Sequence, residues 1–79
     1  MVIKVLGSGC KSCTQLAEMV QQTADRLGIE ATVEKVTDMD AIMGYGIMVT
    51  PGLVVNEEVK TAGRIPGTGE LERILAEAQ

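Results

Sequence analysis

The sequence has no histidine, no tryptophan and no phenylalanine, and its one aromatic residue is Tyr45. Without histidine there is no Ser-His-Asp or Cys-His catalysis, no His-ligated zinc and no imidazole general base. One aromatic ring is too few for the stacking platforms that hold single-stranded nucleic acid. Basic charge is also scarce: seven Lys and Arg stand against eleven Asp and Glu, for a formal net charge of −4. A chain of that sign is not a polyanion binder, so nucleic acid is not an expected partner. No apolar run approaches the ~20 residues of a membrane span. The start of the chain, residues 1–6, is too short for a signal-peptide core and carries no cleavage signal, so the chain reads as cytoplasmic.

What remains is 79 residues, 46% of them hydrophobic, which is enough for one domain over residues 1–79 and no more. Leu, Ile, Val, Ala and Met must build the core without large rings. The five methionines, Met39, Met43 and Met48 among them, read as gap fillers rather than ligands.

Residues 2–6 (Val2, Ile3, Lys4, Val5, Leu6) are mostly apolar and β-branched and stop at Gly7-Ser8-Gly9. They predict a short strand buried on both faces. Cys13, Leu16, Ala17, Val20, Ala24 and Leu27 recur at threes and fours, the stripe of a helix over 11–27, with Gly28 where a glycine cap belongs. Residues 31–36 predict a second strand. Strand, helix and strand across ~35 residues form a βαβ unit, so those two strands should be parallel. Thr37 is a candidate cap for a short helix at 38–45, with Val36 and Ala41 as a hydrophobic staple. Leu53-Val54-Val55 and residues 59–62 flank the turn Asn56-Glu57-Glu58 as a hairpin. Thr68 is a candidate cap for a last helix with Leu71, Ile74, Leu75 and Ala78 on one face. The order is βαβαββα: four strands in a mixed sheet and three helices.

Cys10-Lys11-Ser12-Cys13 falls between the first strand and the first helix. Two cysteines at this spacing beside a βαβ unit, in a chain read as cytoplasmic, point to redox chemistry or metal rather than a structural staple. Cys10 opens the helix, where free N–H groups and the dipole favour a thiolate. Cys13 lies one turn further on, on the apolar stripe, and should be more buried with a higher pKa. A pair so placed can attack a disulfide with the outer sulfur and resolve the mixed disulfide with the inner one. Residues 1–17 carry Lys4 and Lys11 and no acid, which makes the cysteine end the electropositive end of an acidic chain. Lys11 then either supports the Cys10 thiolate or is solvated surface. Lys4 reads as a strand-edge or snorkelling side chain.

With these residues in place, the sequence resembles the thioredoxin superfamily, and is most similar to the small redox-active disulfide proteins of archaea and bacteria, thioredoxins of glutaredoxin size. The resemblance is carried by Gly7-Ser8-Gly9-Cys10-Lys11-Ser12-Cys13, by Thr50-Pro51-Gly52, and by Gly63-Arg64 before the last helix. It implies a three-layer α/β fold and thiol–disulfide oxidoreduction on protein disulfides, with Cys10 as nucleophile and Cys13 as resolving thiol. It further implies a cis Thr50-Pro51 bond facing the cysteines and Gly63 beside the substrate groove. A reductase of the thioredoxin-reductase type would supply electrons, and neither metal nor organic cofactor would be needed. The expected state is a monomer. The sequence departs from a typical thioredoxin at Gly9, where Trp precedes the first cysteine, at Lys11-Ser12, where Gly-Pro intervenes, and at Lys4, where an acid stands on the strand. The tyrosine that marks glutathione binding beside the motif is absent.

The alternative is a heavy-metal module holding copper or zinc with the same two cysteines, since heavy-metal chaperones of ferredoxin-like fold also place C-x-x-C between a first strand and a helix. That fold runs βαββαβ and ends in a strand, and its loop carries Met where this chain has Ser8.

Overall fold

The computed structural model describes residues 1–7, 9 and 11–79; the expectations for Ser8 and Cys10 lie outside the described residues. The elements are β1 (Val2–Leu6), α1 (Lys11–Leu27), β2 (Thr32–Val36), α2 (Met39–Gly44), β3 (Gly52–Val55), β4 (Glu58–Ala62) and α3 (Thr68–Glu77). The order is the expected βαβαββα. The strands form one mixed sheet in the spatial order β2-β1-β3-β4. β1 pairs parallel with β2, from Val2 opposite Thr32 to Leu6 opposite Val36. It pairs antiparallel with β3, from Ile3 opposite Val55 to Leu6 opposite Gly52.

Alternation along β1 divides its side chains between two cores. Ile3 and Val5 join Leu53 and Val55 under α1 and α3, packed with Cys13, Leu16, Val20, Leu71 and Leu75. Leu6 turns the other way and packs with Val54, Ile42 of α2 and Ile47. The sheet is therefore the middle of three layers, with α1 and α3 on one face and α2 on the other. The strand is buried on both faces as expected at Ile3, Val5 and Leu6, whereas Val2 is exposed and Lys4 half-buried. No helix among the described residues is long and apolar enough to cross a membrane.

Several local expectations are corrected. α2 is shorter than 38–45, and Asp38, not Thr37, caps it by accepting from the Ala41 N–H at 3.0 Å. A carboxylate reaches the third N–H from extended backbone as readily as a threonine hydroxyl does, and adds charge to the helix end. Ala41 is exposed, so no staple forms; Val36 packs instead against Leu6, Ile42, Ile47 and Val54. Thr68 is the first residue of α3 and Gly67 precedes it without a side-chain cap. Leu27 is exposed, because α1 ends there and the stripe's place is taken by Thr23, whose hydroxyl donates to the Met19 carbonyl at 2.7 Å. Gly28 follows with φ 70°, as a helix-ending glycine should. The hairpin turn is two residues, not three: Asn56 and Glu57 take φ 49° and 69°, and Glu58 already belongs to β4. Positive φ at both turn positions matches the right-handed twist of the strands it joins.

The methionines depart most from expectation. Met39, Met43 and Met48 are 58%, 56% and 87% exposed, so none of the three fills the core. Aliphatic branches close the space instead, with only Met1 and Met19 packed at its margin.

Among the described residues, the buried Thr61 Oγ1 has no hydrogen-bond partner. A buried, unpaired hydroxyl costs about 1–3 kcal/mol. Thr61→Val should therefore raise stability, by up to about 1 kcal/mol after losses in fit, whereas Leu16→Ala should lower it by about 2–5 kcal/mol by leaving a cavity. Urea unfolding of the two variants beside the wild type checks both signs.

Candidate functional site

The first turn of α1 carries no acidic residue, and Lys11 and Ser12 on it are exposed. Cys13, on the inward stripe, is 3% exposed and belongs to the core of Ile3, Val5 and Leu16. Its sulfur lies against Gly7, the first residue beyond β1: a methyl group built on Gly7 would overlap Cys13 Sγ. The same methyl would come within 3.9 Å of Thr50 Cβ, so Gly7, Cys13 and Thr50 share one small region.

Thr50-Pro51 is a cis peptide bond. Pro51 is buried, and its carbonyl accepts from the Gly63 N–H at 2.8 Å. Gly63 has φ 79°, and a Cβ there would stand 2.7 Å from Val49 Cγ2, so backbone conformation and close approach both require glycine. Arg64, the next residue, holds the Glu70 carboxylate with two hydrogen bonds of 2.8 and 2.6 Å, tying the Gly63 loop to the first turn of α3. The guanidinium lowers the Glu70 pKa, and Glu70 raises that of Arg64.

Of the residues singled out from sequence, Cys13, Thr50, Pro51 and Gly63 thus stand together at the ends of β1 and β3. Lys11 lies on the solvent side of α1, and Cys10 lies outside the described residues. Sequence reasoning missed Gly7 as the surface on which Cys13 rests. A glycine after a strand reads as a stop, and only the returning helix shows what occupies the space. It also missed Val49, whose partner Gly63 is fourteen positions away.

Lys4 is neither at a sheet edge nor free. β1 is an interior strand, and Lys4 projects from the face opposite Ile3 and Val5. Its ammonium donates to Glu57 Oε1 at 2.7 Å and to Tyr45 Oη at 2.9 Å, and the Tyr45 hydroxyl donates to Glu57 Oε2 at 3.1 Å. The nitrogen sits 5.6 Å from the ring centroid, beyond the hydroxyl it is bonded to rather than over the ring face. The hydrogen bond to Glu57 and then that to Tyr45 hold the Lys4 pKa far above its ordinary range, and Lys4 in turn lowers that of Glu57. The hairpin therefore returns a carboxylate to one of the two cations that made residues 1–17 look electropositive.

A four-stranded mixed sheet between α1 and α3 on one side and α2 on the other, with a cysteine at the start of α1 beside a cis-proline, defines the thioredoxin class of α/β proteins. The model of the thioredoxin domain matches residues 1–76, and the chain belongs to the thioredoxin family. It is 37% identical over 76 residues to a thioredoxin of Methanothermobacter thermautotrophicus, covering 96% of this chain and 99% of that one. It is 36% identical over 75 residues to a thioredoxin of Methanocaldococcus jannaschii, covering 95% of this chain and 86% of that one.

Two outcomes follow from this geometry. Gly7→Ala should cost about 1–3 kcal/mol, because the added methyl has to displace a buried sulfur in a packed core; urea midpoints of wild type and variant measure it. The Lys4–Glu57 pair sets a pH dependence. Glu57 titrates below its ordinary 4.5, so its contribution is present above that pH and is lost as pH falls through the lowered value. Lys4 titrates above its ordinary 10.5, so its contribution is intact below that pH. Glu57→Gln should flatten the acid limb of a stability–pH curve and leave the neutral region with the same slope.

Proposed function

We propose that residues 1–79 act as one thiol–disulfide oxidoreductase domain that reduces protein disulfides through Cys10 and Cys13. The observation that carries this reading is the burial of Cys13 on the α1 stripe beside Gly7 and Thr50-Pro51, three residues after Cys10, in a chain of the thioredoxin family.

The Cys10 thiolate attacks one sulfur of the substrate disulfide, the substrate S–S bond breaks, and the departing substrate thiolate takes a proton. Cys13 then loses its proton and attacks Cys10 Sγ. The mixed disulfide breaks, the second substrate sulfur leaves and is protonated, and the pair is left as a disulfide, two electrons poorer. The helix start favours the first thiolate, with Lys11 adding a second positive influence. Burial keeps Cys13 a thiol until the mixed disulfide reaches it. Lys4 is not the group that takes the Cys13 proton: it is held protonated by Glu57 and Tyr45 and faces the other layer. Thr50 is an exposed residue, and its backbone is the group that would pair, strand-like, with an extended substrate segment. Gly63, with its N–H bonded to the Pro51 carbonyl and Val49 close against it, fixes the backbone that presents Thr50. A dithiol reductase of the thioredoxin-reductase type returns the pair to its reduced state in the cytoplasm.

The heavy-metal reading is the weaker one. It belongs to a βαββαβ order, whereas this chain runs βαβαββα. Two thiolates alone also leave a tetrahedral ion half-coordinated.

Cys10→Ser should abolish reduction of a protein disulfide such as that of insulin, and Cys13→Ser should accumulate a mixed disulfide through Cys10 that mass spectrometry detects. In the reduced wild type, iodoacetamide should label Cys10 before Cys13; the reverse order sinks the assignment. Lys11→Glu should slow alkylation of Cys10 at pH 7 by a few-fold. The difference should shrink at high salt, because screening weakens an exposed interaction. Stoichiometric copper or zinc retained through chelator dialysis would favour the metal module instead.

A further inference from the structure

Met48 is the most exposed large apolar side chain among the described residues, at 87%. Its neighbours in the chain are packed on both sides. Ile47 is buried with Leu6, Ile42 and Val54, so the inward space is already filled. Val49 lies against Gly63, and Thr50 lies near Gly7, on which the Cys13 sulfur rests. Met48 therefore keeps its thioether in solvent at the approach to Thr50-Pro51. Met1 and Met19, by contrast, pack on the core. Thioether sulfur is soft and polarisable, and its oxidation turns an apolar, flexible group into a polar, chiral one.

We propose that Met48 is a modification site, oxidised to its sulfoxide by hydroperoxides, and that the sulfoxide weakens engagement of disulfide substrates at Thr50-Pro51. The functional half rests on the thiol–disulfide reading given above. In the reaction a sulfur lone pair attacks a peroxide oxygen, the O–O bond breaks and an S–O bond forms. The sulfur loses two electrons, and the other peroxide oxygen leaves as water or an alcohol after taking a proton. The exposure of Met48 decides the consequence. Oxidation at Met19 would press a polar oxygen against the core, whereas at Met48 no core contact is lost, so the fold persists while the docking surface becomes polar.

The test uses the whole protein with its cysteines first converted to their disulfide, exposed to increasing hydrogen peroxide and mapped by peptide mass. Sulfoxide should accumulate at Met48 first, at Met39 and Met43 next, and at Met1 and Met19 last, with an unchanged urea midpoint while Met48 alone is modified. Dithiothreitol then restores the thiols and leaves the sulfoxide. The oxidised wild type should show a several-fold higher KM for a protein disulfide with kcat retained. Met48→Leu should show the same KM before and after peroxide, and Met39→Leu/Met43→Leu should still respond as wild type does. Met48 reacting no faster than Met19, or Met48→Leu losing as much as wild type, overturns the proposal. Absence of disulfide reduction in the untreated protein would sink the thiol–disulfide reading and with it the functional half, while the peptide map alone decides the modification site.

Discussion

Strand β1 is apolar on both faces over its second half, and that constraint organises the molecule. A strand that must bury Ile3 and Val5 on one side and Leu6 on the other needs cover above and below, and neighbours on both edges. The crossover through α1 supplies β2 and the upper cover, and β3 supplies the second edge. α2 and Ile47 close the lower side. The end of a strand fixed so thoroughly is a rigid place. Gly7 leaves it with no side chain, and Cys13 comes down onto that bare backbone. The burial of Cys13 thus depends on how the end of β1 is packed.

The one charged residue in β1 shows how an exception is accommodated. Lys4 sits in an interior strand, where an unpaired ammonium would be costly. The hairpin turn brings Glu57 and the end of α2 brings Tyr45, so its charge and hydrogen bonds are met without a carboxylate in the strand itself. Glu57 does this from a backbone with φ 69°, a conformation that side-chain-bearing residues seldom take. The Lys4–Glu57–Tyr45 cluster also separates two electrostatic regions, since its charges are satisfied on the α2 side while Cys13 belongs to the α1 and α3 side.

Much of the fold was legible along the chain. The strands at residues 2–6 and 31–36, the helix over 11–27, the parallel βαβ unit, the hairpin and the last helix follow from apolar spacing and glycine punctuation, which are local signals. The misjudged details were settled by neighbours far away in sequence or by competition between adjacent groups. Asp38 displaced Thr37 as a cap because both are polar and one residue apart. The lack of large rings points the methionines inward, but that is a statement about composition and not about neighbours. Branched aliphatic residues fill both cores, and Met39, Met43 and Met48 stay at the surface.

The sequence by itself determined the element order, the C-x-x-C spacing, the glycine and proline positions and the class of chemistry they suggest, because each depends on residues a few positions apart. Only the tertiary structure decided that Gly7 receives Cys13, that Gly63 receives Val49, that Lys4 is answered by Glu57 and Tyr45, and that Met48 faces water beside Thr50-Pro51. The first three pairings join residues separated by six to more than fifty positions, and the exposure of Met48 depends on Ile47 filling the space beneath it. Contacts at such range depend on how the layers close, and no local pattern encodes them.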